Sequence, residues 1–184
     1  MANIPAYNSN NISLGPGVMY LGLAGSTPTQ DVGAISESDG VSITVGQQFL
    51  EVFQGSPKTL IKQFKTSESM TIAAKGIEWD LVKLAFALGS GVTSSTASTD
   101  TFAFGGDPAS NILALKIDHT LPTGHTISVC VWQVQASGEW KLDLKEDTLG
   151  TFPFTFKALI STTNWIGGTL ASGQQLFKIF RFKQ

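Results

Sequence analysis

The stretch 111-NILALKIDHTLPTGHTISVCVWQVQ-135 decides how the rest of this sequence is read. Residues 111–119 and 125–135 are two runs rich in Ile, Leu and Val, separated by Thr120-Leu121-Pro122-Thr123-Gly124. β-Branched side chains suit a pleated surface and a Pro/Gly pair interrupts one, so the segment predicts two strands joined by a hairpin loop of moderate length. The same alternation of strand and break recurs on both sides. Downstream, residues 139–145 set Trp140, Leu142 and Leu144 on one face against Glu139, Lys141, Asp143 and Lys145 on the other, the clearest period-two pattern in the chain. Residues 151–159 place Phe152, Phe154 and Phe156 together, with Pro153 pointing to an edge or a bulge, and residues 176–182 form a last strand.

Upstream, residues 18–23 are apolar between turn residues. Val41, Ile43 and Val45 alternate with Ser42, Thr44 and Gly46, and strand propensity continues over 49–53, 60–64 and 69–74 around a break at Gly55-Ser56-Pro57. One helix is predicted over 77–88, where Ile77, Leu81, Leu84, Ala85 and Leu88 recur at helical spacing, Glu78 and Asp80 favour the N-terminal end and Gly89 supplies the stop. Residues 90–101, almost wholly Gly, Ser, Thr and Ala, read as a mobile loop. Eight or so strands, one helix and no βα rhythm predict a mainly β fold, an antiparallel β-sandwich or barrel with one flanking α-helix. The predicted organisation is an extended, Asn-rich N-terminal arm over 1–13 and a single domain over 14–184, with long loops near 24–40, 47–65 and 89–101.

Composition narrows the function classes. Charged residues make up 14% of the 184 and hydrophobic ones 42%, including 12 Phe and 4 Trp, so apolar surface is left over after a core is filled, which suggests association. A net charge of -2 argues against a protein that grips nucleic acid by neutralising phosphates. No stretch has the form of a signal peptide or a membrane span, so neither secretion nor membrane insertion is expected, and Asn11-Ile12-Ser13 has no meaning as a glycosylation acceptor.

Combinations of residues that could carry chemistry are thin, and no enzyme, catalytic residue, metal site or cofactor is expected. His119 and His125 flank one turn and could offer two metal ligands, but Asp118 should point to the opposite face, and two solvated histidines is the simpler reading. Asp31, Glu37 and Asp39 lie in a Gly-containing loop without the spacing of an EF-hand. Cys130 sits between Val129 and Val131 with no base beside it, which predicts an inert buried thiol. Gly15-Pro16-Gly17 and Gly89-Ser90-Gly91 are turns rather than phosphate cradles. Lys178, Arg181 and Lys183, interleaved with Phe177, Phe180 and Phe182, could stack on nucleic-acid bases. A terminal strand whose lysines protect a sheet edge suits so few cations better.

Several segments taken in order resemble the tail tube, or major tail, proteins of long-tailed phages. They are the strand from Gly15-Pro16-Gly17 through Val18, Met19, Tyr20, Leu21 and Gly22; Asp31-Val32-Gly33 leading to Asp39-Gly40-Val41-Ser42-Ile43; Gly55-Ser56-Pro57; residues 64–74 with KTSESMTIAA at their heart; Ala87-Leu88-Gly89; and Phe154-Thr155-Phe156-Lys157-Ala158-Leu159. The resemblance covers residues 14–160. It implies a tail-tube β-sandwich domain that assembles as stacked hexameric rings around a lumen, with the arm at 2–13 and the segment 47–65 as candidates for contacts between rings. It also implies a tape measure protein, a tail terminator, and distal tail or baseplate proteins as partners. Genome DNA would pass through without sequence-specific binding, in a virion tail assembled in the host cytoplasm. Alternatives are another ring-forming tube protein, such as a tail completion protein or a type VI secretion tube subunit, and a carbohydrate-binding sandwich. The last should expose a row of aromatics, whereas Trp79, Trp132, Trp140 and Trp165 are scattered along the sequence.

Overall fold

The structure is a computed structural model that describes residues 17–36, 40–78, 80–106, 110–138 and 150–182. The elements are β1 (Val18–Leu23), β2 (Gln30–Asp31), β3 (Val41–Gln54), β4 (Thr59–Gly76), α1 (Leu81–Leu88), β5 (Val92–Ser95), β6 (Asp100–Ala103), β7 (Ile112–Thr120), β8 (Thr126–Ala136), β9 (Phe152–Leu159) and β10 (Phe177–Phe182). All the strand pairs are antiparallel. The main sheet runs β2-β1-β7-β8-β9-β4-β3, with β10 also on β8, and β5-β6 form a separate two-stranded sheet. The described residues are therefore mainly β with antiparallel sheets and one helix, the arrangement of a β-sandwich.

The predicted β7–β8 hairpin turns where expected: Thr120 pairs with Thr126, and Gly124, at φ 81°, donates its N–H to the Leu121 carbonyl. Strand β8 is the axis of the fold. Its register against β7 slips between Leu113 and Leu115, opposite Val134 and Val131, so β8 fits one extra residue there. Such a bulge shifts the parity of the strand. Val129 and Val131 face the core before it, and Val134 returns to the core after it. On its other edge β8 pairs with β10 up to Val131 and with β9 from Gln133 onward, so the partner changes at the bulge.

One core gathers the inner residues of both halves of the sheet: Met19 and Leu21 from β1, Leu113, Leu115 and Ile117 from β7, Met70, Ile72 and Ala74 from β4, and Phe152, Phe154 and Phe156 from β9. The helix closes it with Leu84 and Ala87. A second, smaller cluster lies on the opposite face of β8, where Cys130 and Trp132 pack with Leu170, Trp165 and Phe180. Trp132 donates its indole N–H to the Gln174 carbonyl at 2.7 Å and meets Trp165 edge-on at 5.2 Å. With both of its faces covered, the near-continuous apolar run 127–134 follows.

Around the helix and the sheet body, three segments differ from their reading in the sequence. The helix starts at Leu81 rather than Ile77, because the Asp80 side chain caps it by accepting from the Val82 and Lys83 amides, while the Ile77 amide is bonded to the Ala34 carbonyl. The loop near 24–40 contains β2, which pairs Tyr20 with Asp31. The Ser/Thr-rich run after Gly89 is not a free loop: Val92–Ser95 and Asp100–Ala103 form a hairpin anchored by Phe102 against the core and by the Ser94 and Thr101 hydroxyls at 2.5 Å. Thr and Val have strand propensity that the low-complexity composition masks. The strand predicted over 139–145 and the arm over 1–13 lie outside the described residues.

Candidate assembly surfaces

Residues 47–65, read in the sequence as a long loop segment holding extended runs over 49–53 and 60–64 around the Gly55-Ser56-Pro57 break, are the distal part of the longest hairpin among the described residues. Strand β3 runs 14 residues and β4 runs 18, paired from Val41↔Ala74 out to Gln54↔Thr59 around the Gly55-Ser56-Pro57 break. The proximal part belongs to the body, where Val41 packs against the core and Ile43 and Val45 pair with Ile72 and Met70. Beyond it every residue from 47 to 69 is exposed. At about 3.4 Å per residue, the eight residues 47–54 carry the tip about 27 Å outward.

This arm is apolar on both faces. β3 alternates without interruption, so Phe49 and Phe53 lie on one face and Leu50 and Val52 on the other. Leu60 and Phe64 are cross-strand partners of Phe53 and Leu50. Two register shifts, after Gln48 and after Val52, leave Thr66 and Ile61 as extra residues on β4. Phe49, Phe53, Leu50, Leu60, Ile61 and Phe64 are each between 43% and 58% exposed. A lone two-stranded ribbon gains little by displaying such side chains to water, and exposed apolar patches of this kind mark interaction sites.

A polar collar separates the apolar tip from the body. Lys65 bonds Glu68, whose carboxylate also accepts from Gln47, and the lysine hydrogen bond lowers the Glu68 pKa. The Ser67 hydroxyl bonds Gln48 at 3.1 Å, and the Thr66 hydroxyl donates to the Gln48 carbonyl. In the sequence the apolar residues at both odd and even positions from 49 to 53 match a strand covered on both faces, so the pattern alone does not mark an exposed arm.

Two sheet margins accompany the arm. Among the described residues, β3 ends the strand order and has no partner on its outer edge, and β10 pairs only with β8. Backbone N–H and C=O groups along such margins are templates for another strand. The outer face of β3-β4-β9-β8 is also distinctive. The register lines up Ser42, Ala73 and Thr155, then Thr44, Thr71 and Lys157, with Gln135 opposite Lys157. This face is small and polar, and its charged side chains are the lysines Lys75 and Lys157.

The sequence-selected residues fall elsewhere. His119 pairs in register with Ile127, while His125 lies in the turn with its carbonyl accepting from Leu121, so the two histidines are not cross-strand partners. Asp118 holds the buried Ser128 hydroxyl and the Lys116 ammonium. Among the described residues no three His, Cys, Asp or Glu side chains come together as a metal site. Asp31 accepts from the Gly33 amide, and Glu37 and Asp39 are outside the described residues, as are Lys183, Trp79, Trp140 and Gly15-Pro16. Strand β10 is tucked into the sheet, with Lys178 opposite Cys130, its ammonium 5.0 Å from the Phe180 ring centroid. Gly89, at φ 65°, ends the helix.

Cys130 is buried, and burial pushes its thiol from an ordinary value of 9.0 up to about 11. The folded chain therefore holds the thiol proton after the unfolded chain has released it. Stability from this group is intact below pH 9 and is lost as pH rises from about 9 to about 11. Iodoacetamide at pH 8 is expected to leave Cys130 unmodified in the native protein and to alkylate it fully in urea, read by intact mass. Rapid native alkylation would show that the thiol is reachable.

No protein-family model matches the sequence, and no curated protein matches it. Among solved structures, the chain is similar to one from the tail of an empty GTA particle, refined helically with C6 symmetry. The two are 9% identical with a TM-score of 0.46, over 78% of this chain and 92% of that one. No helix among the described residues is long and apolar enough to cross a membrane.

Proposed function

We propose that this chain is a structural subunit that polymerises with copies of itself into stacked rings, forming the hollow tube of a phage-type tail, and that it carries no catalytic site. The observation that carries this reading is the projecting β3–β4 arm, apolar on both faces and exposed over residues 47–69 in the single chain. Side chains of this kind gain most when a neighbouring subunit covers them. The segmental resemblance to tail tube proteins points the same way, with 47–65 as a contact between rings.

The other surfaces fit the same object. Strand margins at β3 and β10 can be completed by adjacent copies, so that strand edges become joints around a ring. The small polar face of β3-β4-β9-β8 suits the wall of a channel, since Ser42, Thr44, Thr71 and Thr155 offer a passing polyanion no apolar grip and only Lys75 and Lys157 would attract it. On this reading the partners are the tape measure protein during assembly, the terminator and distal tail proteins at the two ends, and genome DNA in transit, in the virion. Electron microscopy of the purified chain at rising concentration tests it. Hollow rods with a regular axial repeat are expected. A monodisperse monomer at high concentration would overturn the proposal, and closed rings that never stack would favour a completion-type or secretion-tube ring instead.

A further inference from the structure

We propose that the tip of the β3–β4 arm seats in the cleft between α1 and the β5–β6 hairpin of a second copy of this chain. This rests on the self-assembling reading above and adds the surface that receives the arm. The cleft has a volume of about 740 Å³ and is lined by Glu78, Asp80, Leu81, Val82, Ser94 and Asp100 among others. That size accommodates several side chains rather than a whole strand. Its walls combine an apolar patch, Val82 being 61% exposed, with three carboxylates.

The charge of the cleft is only partly offset from within. Lys83 pairs with Glu78 at 3.1 Å, and that bond raises the lysine pKa. The other carboxylate oxygen of Glu78 accepts from the Ala34 amide at 3.2 Å, and Asp80 is turned to the helix amides. Among the described residues, Lys83 shares its single positive charge among Glu78, Asp31 and Asp80. The arm tip is the complement. Residues 52–63 carry Lys58 and Lys62 and no acidic side chain, beside the exposed Phe53, Leu60 and Ile61. The Lys62 ammonium rests 4.6 Å from the Phe64 ring centroid, so cation and apolar surface form one knob.

The knob does not sit in its own chain's cleft, because every residue from 47 to 69 is exposed. Each subunit then carries both halves of a joint made of two different surfaces. Such a contact propagates from copy to copy instead of closing on a pair. Opposite charges at the rim would set which surfaces meet and how fast.

The test uses the full chain with Cys130→Ser and two further substitutions, Lys58→Cys and Asp100→Cys, assembled and then mildly oxidised. A disulfide-linked ladder of multimers is expected from the double variant and not from either single one. In a parallel series, Lys58→Glu with Lys62→Glu is expected to raise the critical concentration about tenfold, and Asp100→Lys to do the same. All three together should return it to near the wild-type value. If wild-type rods form but no ladder appears and the combined charge variant is no better than its parts, the cleft is not the receptor, although self-assembly stands. If the wild-type chain never assembles, both readings fall.

Discussion

Excision of residues 49–64, with Gln48 joined to Lys65 through an Asn-Gly turn, is expected to give a folded β-protein that stays monomeric at concentrations where the intact chain forms rods. The deletion removes no buried residue, since all sixteen positions are exposed in the single chain. The proximal pairs from Val41↔Ala74 to Val45↔Met70 remain, and with them the attachment of β4 to β9. The circular dichroism spectrum should keep its β shape and the urea midpoint should hardly move. Assembly should behave differently. Burying one large apolar side chain is worth about 1.5–3 kcal/mol, so losing the arm's contribution of even about 4 kcal/mol raises the critical concentration roughly a thousandfold. Sedimentation velocity and microscopy on the same samples measure it. Rods forming at the wild-type concentration would show that the arm has no part in the joint.

The opposite result is expected for Phe156→Ala. Phe156 has no exposed surface and lies opposite Ile72 on β4 and Ala136 on β8, so its ring packs where the two halves of the sheet meet through β9. Truncating a buried Phe costs about 3–5 kcal/mol, through lost transfer energy and the cavity left behind. Against a total of about 5–15 kcal/mol for a typical domain, that is enough to leave much of the protein unfolded under mild denaturant. Phe53→Ala, a half-exposed Phe on the arm, should change the monomer's urea midpoint only slightly. Equal shifts for the two substitutions would mean that Phe156 is not central to the core.

These contrasting roles also mark how far the sequence could be read. Strands that bury one face were legible. Met19 and Leu21, the β7–β8 turn at Gly124, and the Phe152, Phe154 and Phe156 face of β9 all follow from period-two patterning and turn chemistry. The helix was legible apart from its first turn, where the Asp80 cap outweighs apolar periodicity. The arm was not. Phe49, Leu50, Val52 and Phe53 look like an ordinary strand, and nothing local distinguishes apolar residues awaiting a core from apolar residues left in water. The cleft was equally invisible, because Asp80, Val82, Ser94 and Asp100 come together only when α1 packs beside β5 and β6. The second cluster around Trp132 and Trp165 depends on a contact across 33 positions, which no periodicity reports.

The bulge on β8 has a consequence for how the molecule melts. Because β8 hands its hydrogen bonds from β10 to β9 at Val131 and Gln133 while β7 runs along its other side, the two halves of the sheet share one continuous backbone. Neither half can separate without breaking the ladder of the other. Heat should therefore dissolve the body in a single cooperative step, with calorimetric and van't Hoff enthalpies in agreement.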